Sequence, residues 1–343
     1  MKMIITGGFL GAGKTTLIKK LLTDALKGQQ VVLIENEFGE IGIDGGFLKD
    51  AGIEIKEMNS GCICCSLVGD FGTALKEVAE TYHPDRIIIE PSGVGKLSDV
   101  IQAVERVSEE AGLELNCAVT VVDVTKCKMY LKNFGEFFKN QVEAAGTIIL
   151  SRTDLPKATD EKVEEALKLI RELNPEATVI TTPVEQLGGK KVLDTMEGVK
   201  IDLSHAEEEH GHECHHHDHE ECGHEHHHHD HEACGCGDHH AHEDGHHHHH
   251  HADEVFQSWG RETIRRFDRD EIREILGRLS EKPEFGTVLR AKGMVEGTDG
   301  HWIYFDMVPE EADVREGAPE YTWRICVIGA GLKEEKLAEL FGI

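Results

Sequence analysis

The chain has 343 residues, 29% of them charged and 39% hydrophobic, and its 65 acidic and 36 basic side chains give a formal net charge of −29. That length suits two domains of ordinary size, and no apolar run approaches the roughly 18 residues needed to cross a bilayer. A surface of this sign repels phosphate backbones and anionic headgroups, so neither nucleic acid nor a membrane is expected as a partner. Near the start only Met3, Ile4, Ile5 and Thr6 precede a glycine pair, too short an apolar stretch for a secretory signal, so a cytoplasmic location is expected. Ten cysteines in such a compartment point to metal ligands or packed thiols rather than disulfides.

The first strand is predicted at 2–6, and Gly8-Phe9-Leu10-Gly11-Ala12-Gly13-Lys14-Thr15 follows it, opening a helix predicted at 15–25. This is G-x4-G-K-[ST] in the strand-to-helix context that its mechanism requires. Gly8, Gly11, Ala12 and Gly13 let successive N–H groups turn toward one anion at the positive end of the helix dipole. Lys14 can reach the β and γ phosphates, Thr15 can ligate Mg²⁺, and Thr16 is placed for the α-phosphate.

A strand at 31–34 leads into Glu35-Asn36-Glu37-Phe38-Gly39-Glu40, and Gly61-Cys62-Ile63-Cys64-Cys65 precedes a helix predicted at 67–80. Three thiols in four positions crowd each other's charge, which favours a soft, multiply charged cation and leaves room for an exchangeable ligand. A redox thiol pair and a buried loop of small residues are the rival readings, whereas the isolated Cys117, Cys127 and Cys326 are expected to pack as apolar groups.

The strand predicted at 86–89 ends in Glu90-Pro91-Ser92-Gly93, which places Glu90 near a Mg²⁺ water shell and lets Gly93 approach a γ-phosphate. Further strands are predicted at 118–122, 147–150 and 178–181, with a helix at 160–173. Continuously apolar runs such as Ile-Ile-Ile and Thr-Ile-Ile-Leu suit parallel strands covered on both faces. The expected fold of residues 1–200 is therefore α/β, a doubly wound and mainly parallel sheet. Ser151-Arg152-Thr153-Asp154 resembles the N/T-K-x-D element by which GTPases read guanine. Asp154 would accept from the ring N–H and exocyclic amine while Arg152 covers the base, with Ser standing where Asn is usual and Arg where Lys is usual.

Residues 201–253 form a different composition. Between His205 and His251 lie 22 of the 24 histidines, four cysteines and 13 acidic residues, with no Lys or Arg. So few aliphatic groups cannot offset the entropy of ordering, so a disordered linker is expected. Its Cys214, His215, His216, His217, Cys222, Cys234 and Cys236 are candidate ligands for Zn²⁺, Ni²⁺ or Co²⁺, in a reservoir or an acquisition arm. Residues 254–343 read as a small α+β domain, with strands at 255–262, 286–295, 302–307 and 321–328. Helices are predicted there at 268–279, capped by Asp268, and at 333–341.

With GGFLGAGKTT, ENEFGE, GCICC, EPSG and SRTD in this order, the chain resembles the CobW family of metal-chaperone GTPases, which has zinc-directed and cobalt-directed members. RAKG at 290–293 and WIYFD at 302–306 resemble that family's C-terminal domain. The resemblance implies a SIMIBI-class P-loop GTPase in which a metal bound near the C-x-C-C loop communicates with the nucleotide. It implies Glu35, Glu40 and Cys64 as ligands, with Cys62, Cys65 and Glu37 as adjacent alternatives. The function expected is GTP-dependent delivery of a transition metal, zinc first, to an apo-metalloprotein client, with GTP and Mg²⁺ in the site. Alternatives are a nickel or cobalt insertion GTPase and a metal-storage protein with a regulatory nucleotide domain. Self-association into a homo-oligomer is left open.

Overall fold

The computed structural model describes residues 1–36, 54–58, 68–198, 252–319 and 323–343. In the first part, β1 (Lys2–Gly8), β2 (Val31–Asn36), β3 (Glu54–Met58), β4 (Arg86–Glu90), β5 (Glu114–Asp123), β6 (Thr147–Ser151) and β7 (Thr178–Ile180) form one sheet. Its order is β3-β2-β4-β1-β5-β6-β7, and every strand pair is parallel. The strands are apolar throughout because both faces are covered, and alternate residues enter opposite cores. Met3, Ile5, Ile87, Ile89, Ile148 and Leu150 face one cluster, whereas Ile4, Ile88 and Ile149 face the other.

Helices on the two faces carry matching stripes. On α1 (Lys14–Asp24) the residues Leu17, Ile18 and Leu21 are buried against the second cluster. α2 (Val68–Tyr82) and α3 (Leu97–Ala111) cover the other face, where Leu97, Val100, Ile101 and Val104 repeat at helical spacing. α4 (Cys127–Asn133), α5 (Gly135–Glu143), α6 (Asp160–Leu173), α7 (Val184–Leu187) and α8 (Gly189–Glu197) complete this part. The chain leaves β1 toward β2 but leaves β5 toward β6, so the winding reverses beside β1. That reversal opens a crevice at the carboxyl ends of the central strands.

After the short α9 (Ala252–Val255), the second part has β8 (Gln257–Glu262), β9 (Thr287–Glu296), β10 (Trp302–Val308), β11 (Glu311–Gly317) and β12 (Arg324–Ala330). These make an antiparallel sheet in the order β11-β10-β9-β12-β8. One face is covered by α10 (Arg269–Glu281) and α11 (Glu334–Phe341), through Ile272, Ile275, Leu276, Leu337 and Phe341. From the other face Leu289, Met294, Tyr304 and Ile328 join the core of the first part. Phe256 sets the junction: its ring lies 5.0 Å from Phe137, 5.3 Å from Phe134 and 6.3 Å from Phe9 between centroids.

The α/β sheet and the separate strand-rich unit follow the sequence expectation. Asp268 caps α10 as predicted: its side chain accepts from the Asp270 amide at 2.8 Å, and the Glu271 carboxylate accepts from the Asp268 amide at 3.3 Å. The strand expected from 255 begins at Gln257 instead, because residues up to Val255 form a helical turn that delivers Phe256 into the aromatic cluster. Two strands were not anticipated, β3 and β11, each an edge strand of polar sequence. The expectation of disorder at 201–253 falls on residues of which only 252 and 253 are described. Among the described residues no helix is long and apolar enough to cross a membrane.

Candidate functional site

The loop between β1 and α1 wraps the crevice, and Gly13, with φ 107°, immediately precedes the first turn of α1. Lys14 is only 6% exposed; its Nζ donates to the Gly8 carbonyl at 3.0 Å and stands 3.9 Å from Glu90 Oε1. The Thr15 hydroxyl donates to the Glu90 carboxylate, at 3.3 Å and 3.4 Å from its two oxygens. Lysine, hydroxyl and strand-end carboxylate, chosen from sequence positions 75 residues apart, are therefore brought together. Gly93 belongs to the same group: a Cβ there would lie 3.1 Å from Lys14 Nζ and 3.0 Å from the Leu10 amide nitrogen. The buried Gln141 holds this turn by donating to the carbonyls of Gly93 at 3.3 Å and Gly95 at 2.8 Å, a positioning role the sequence did not reveal.

A cavity of about 250 Å³ opens here, lined on one side by Gly11, Gly13, Lys14, Thr15, Thr16 and Glu90. Arg152 also lines it, in the left-handed region at φ 61°, and its guanidinium is held on three sides. Nε lies 3.2 Å from Asp123 Oδ2, Nη2 donates to the Gly11 carbonyl at 3.1 Å, and Nη1 pairs with Glu311 of β11. Ser151, standing where Asn is usual, donates its hydroxyl to the Ala12 carbonyl at 2.6 Å and so ties this segment to the phosphate loop. Asp154 is exposed and lies outside the cavity lining.

Asp123 and Glu311 were missed in the sequence. Asp123, 2% exposed, ends the apolar run of β5 just as Glu90 ends that of β4, and this shared pattern was the available signal. Beside it Lys126 is 3% exposed, and burial holds its ammonium below the ordinary lysine range although Asp123 opposes the shift. At Glu311 burial acts upward on the carboxyl, but the hydrogen bond from Arg152 and the charges of Arg152, Lys126 and Lys157 outweigh it and the net direction is down.

Glu35 is the one metal-ligand candidate among the described side chains. It ends β2, is 5% exposed, and its Cα partner on the neighbouring strand is Glu90. Directly opposed residues of adjacent strands share a face, so these two carboxylates emerge together at the carboxyl edge. Glu37, Glu40, Cys62, Cys64, Cys65, Cys214, His215, His216, His217, Cys222, Cys234 and Cys236 lie outside the described residues. Cys117, Cys127 and Cys326 are buried, and burial pushes the thiols of Cys117 and Cys127 up to about 12, as apolar packing requires.

Over residues 2–181 the sequence matches the CobW/HypB/UreG nucleotide-binding domain, and over residues 256–342 it matches the cobalamin synthesis protein CobW C-terminal domain. The chain belongs to the CobW family. This CobW-family chain is 33% identical over 253 residues to a protein named zinc chaperone CobW from Sinorhizobium sp, a match covering 63% of this chain and 69% of that one. It is 32% identical over 161 residues to the zinc chaperone YeiR of Escherichia coli K12, covering 47% of this chain and 48% of the relative. Against several relatives the match spans about half to three fifths of their length, 48%, 55% and 60%. A crystal structure of Zn(II)-bound YjiA GTPase from E. coli aligns with a TM-score of 0.41 at 19% identity, covering 100% of this chain and 98% of that one.

Proposed function

We propose that the protein is a GTP-hydrolysing metallochaperone, with zinc as its cargo and an apo-metalloprotein as its client. Lys14, Thr15 and Thr16 would engage the phosphates, while Gly93 leaves room for the γ-phosphate beside Lys14. Arg152 would cover the base and Asp154 would read its guanine edge. Mg²⁺ fits the hard oxygen pair of Thr15 and Glu90, and when bound it neutralises charge on the β and γ phosphates. Lys14 adds fixed positive charge where negative charge grows as the γ-phosphoryl departs, in a pocket partly closed to water.

The observation that carries the coupling is the register of β2 on β4. Glu35, which family resemblance implies as a cargo ligand, stands opposite Glu90, the carboxylate beside Thr15 and Lys14. β2 therefore ends, at Asn36, one strand away from the strand whose loop would hold the γ-phosphate, where switch segments gather in such folds. Zinc bound through Glu35, Glu37 or Glu40 with Cys62, Cys64 or Cys65 would be felt by the nucleotide, and hydrolysis would loosen its ligands for transfer. The zinc-chaperone names of the relatives support this reading, as do the five motifs. Nickel or cobalt as cargo would use the same arrangement.

GTP hydrolysis in the wild type and in Lys14→Ala, each with and without Zn²⁺, tests the reading. The wild type should hydrolyse GTP at a rate that responds to Zn²⁺, and the variant should lose at least about a hundredfold in turnover. Turnover independent of Lys14 would leave only a metal buffer.

A further inference from the structure

The nucleotide cavity is walled on its second side by the C-terminal sheet, through Arg290 of β9, Asp306 and Val308 of β10, and Glu311, Asp313 and Arg315 of β11. The approach is close: a Cβ at Gly11 would come within 2.5 Å of Val308 Cγ1, so the phosphate loop has its glycine where the second domain touches it. The β10–β11 turn that carries these groups is tightly defined. Val308 pairs with Glu311, Pro309 occupies the first central turn position, and Glu310 at the second has φ 68°. That pattern fits a type II turn. The Glu310 amide also donates to Ser280 Oγ of α10 at 3.1 Å.

Glu311 emerges directly from this fixed turn, and its carboxylate meets Arg152 and stands 3.9 Å from both Lys126 and Lys157. A guanidinium presents its donors in a planar fork, so partners on three sides fix both its position and its plane. For Arg152 those partners are Asp123, the Gly11 carbonyl and Glu311, and only Glu311 comes from the C-terminal domain. With two partners the fork could pivot; with the third its stem is set over the rim of the cavity.

We propose that Glu311 is a positioning residue for guanine-nucleotide binding, acting through Arg152, so that the C-terminal domain supplies part of the nucleotide site in cis. This rests on the assignment of Arg152 to the base. Its consequence is that nucleotide affinity reports whether the C-terminal domain is docked, which gives anything that engages that domain a route to the nucleotide.

Titration of GDP into the full chain tests this, comparing wild type, Glu311→Gln, Arg152→Ala, the double variant, and Glu316→Gln as control. Glu316, on the same strand as Glu311 but outside the cavity lining, pairs with Arg269 of α10. Glu311→Gln should weaken GDP about tenfold while keeping the melting temperature of the Glu316→Gln control. Glu311→Asp should recover part of the loss, and the double variant should bind no worse than Arg152→Ala alone, since one route is being cut twice. Unchanged or tighter GDP binding in Glu311→Gln, with Arg152→Ala impaired, overturns the inference and leaves the nucleotide site standing. A lowered melting temperature without an affinity change makes Glu311 a domain staple and also overturns it. Unaltered binding in Arg152→Ala removes the base assignment and the inference together.

Discussion

At the scale of single residues, the proposed phosphate site is defined by what would not fit. Gly93 is the sharpest case: its missing methyl would press on the Lys14 ammonium and on the Leu10 amide, and backbone cannot yield as a flexible side chain can. Gly93→Ala should weaken GTP binding by roughly tenfold or more, because even a small displacement of Lys14 is amplified at a charged site. Gly277→Ala, at an exposed position of α10 where a methyl meets nothing, is the control that should leave binding unchanged. Lys14, Thr15 and Glu90 were legible in the sequence because each occupies a fixed place in a short local motif. Asp123 and Glu311 were not, because their role arises only where three separate segments converge on one guanidinium. Asp123 could have been found by asking which apolar strands end in a carboxylate. Glu311 could not, since nothing local marks an acid in a charged run as lining a cavity beside Arg152.

The same limit appears among the elements. The central parallel strands announce themselves by unbroken apolar sequence, which is what burial on two faces demands. Edge strands are under no such demand, and natural sheets favour charge there. β11 reads Glu-Ala-Asp-Val-Arg-Glu-Gly and became visible only through its register with β10. One of the two strands that sequence patterning misses thus contributes, with β9 and β10, to the wall that the second domain gives the cavity. Helix α10 shows the opposite case, a boundary specified locally by a reciprocal cap. Asp268→Ala should lower stability by about 1 kcal/mol in denaturant titration, with GTP turnover unaffected, since the cap lies on the far side of the C-terminal sheet from Phe256 and the first core. A change in turnover without a change in stability would show that α10 reaches the nucleotide by another route.

For the whole molecule, the two parts share a core rather than meeting at a wet seam. Phe9, within the phosphate loop, packs 4.5 Å from Tyr130 and 6.3 Å from Phe256 between ring centroids, so the loop that would hold the triphosphate also touches the plug that seats the second domain. On the other flank, Glu35 and Glu90 share a face at the carboxyl edge of the sheet. A nucleotide in the cavity would therefore lie between Glu90, the neighbour of Glu35, and the C-terminal sheet. Linkage then works both ways: whatever nucleotide does to metal affinity, metal must do to nucleotide affinity, by a factor of about 5 to 150 for ordinary couplings. Any metal taken up by the 22 histidines between His205 and His251 would overlay this signal if measured together. The decisive measurement is a Zn²⁺ titration of the full chain and of a deletion lacking residues 205–251, each with GDP and with a non-hydrolysable GTP analogue. The account predicts that the tightest zinc site survives the deletion and differs at least about fivefold in affinity between the two nucleotides. Equal zinc affinity in both nucleotide states, or loss of the tight site with the deletion, would contradict it.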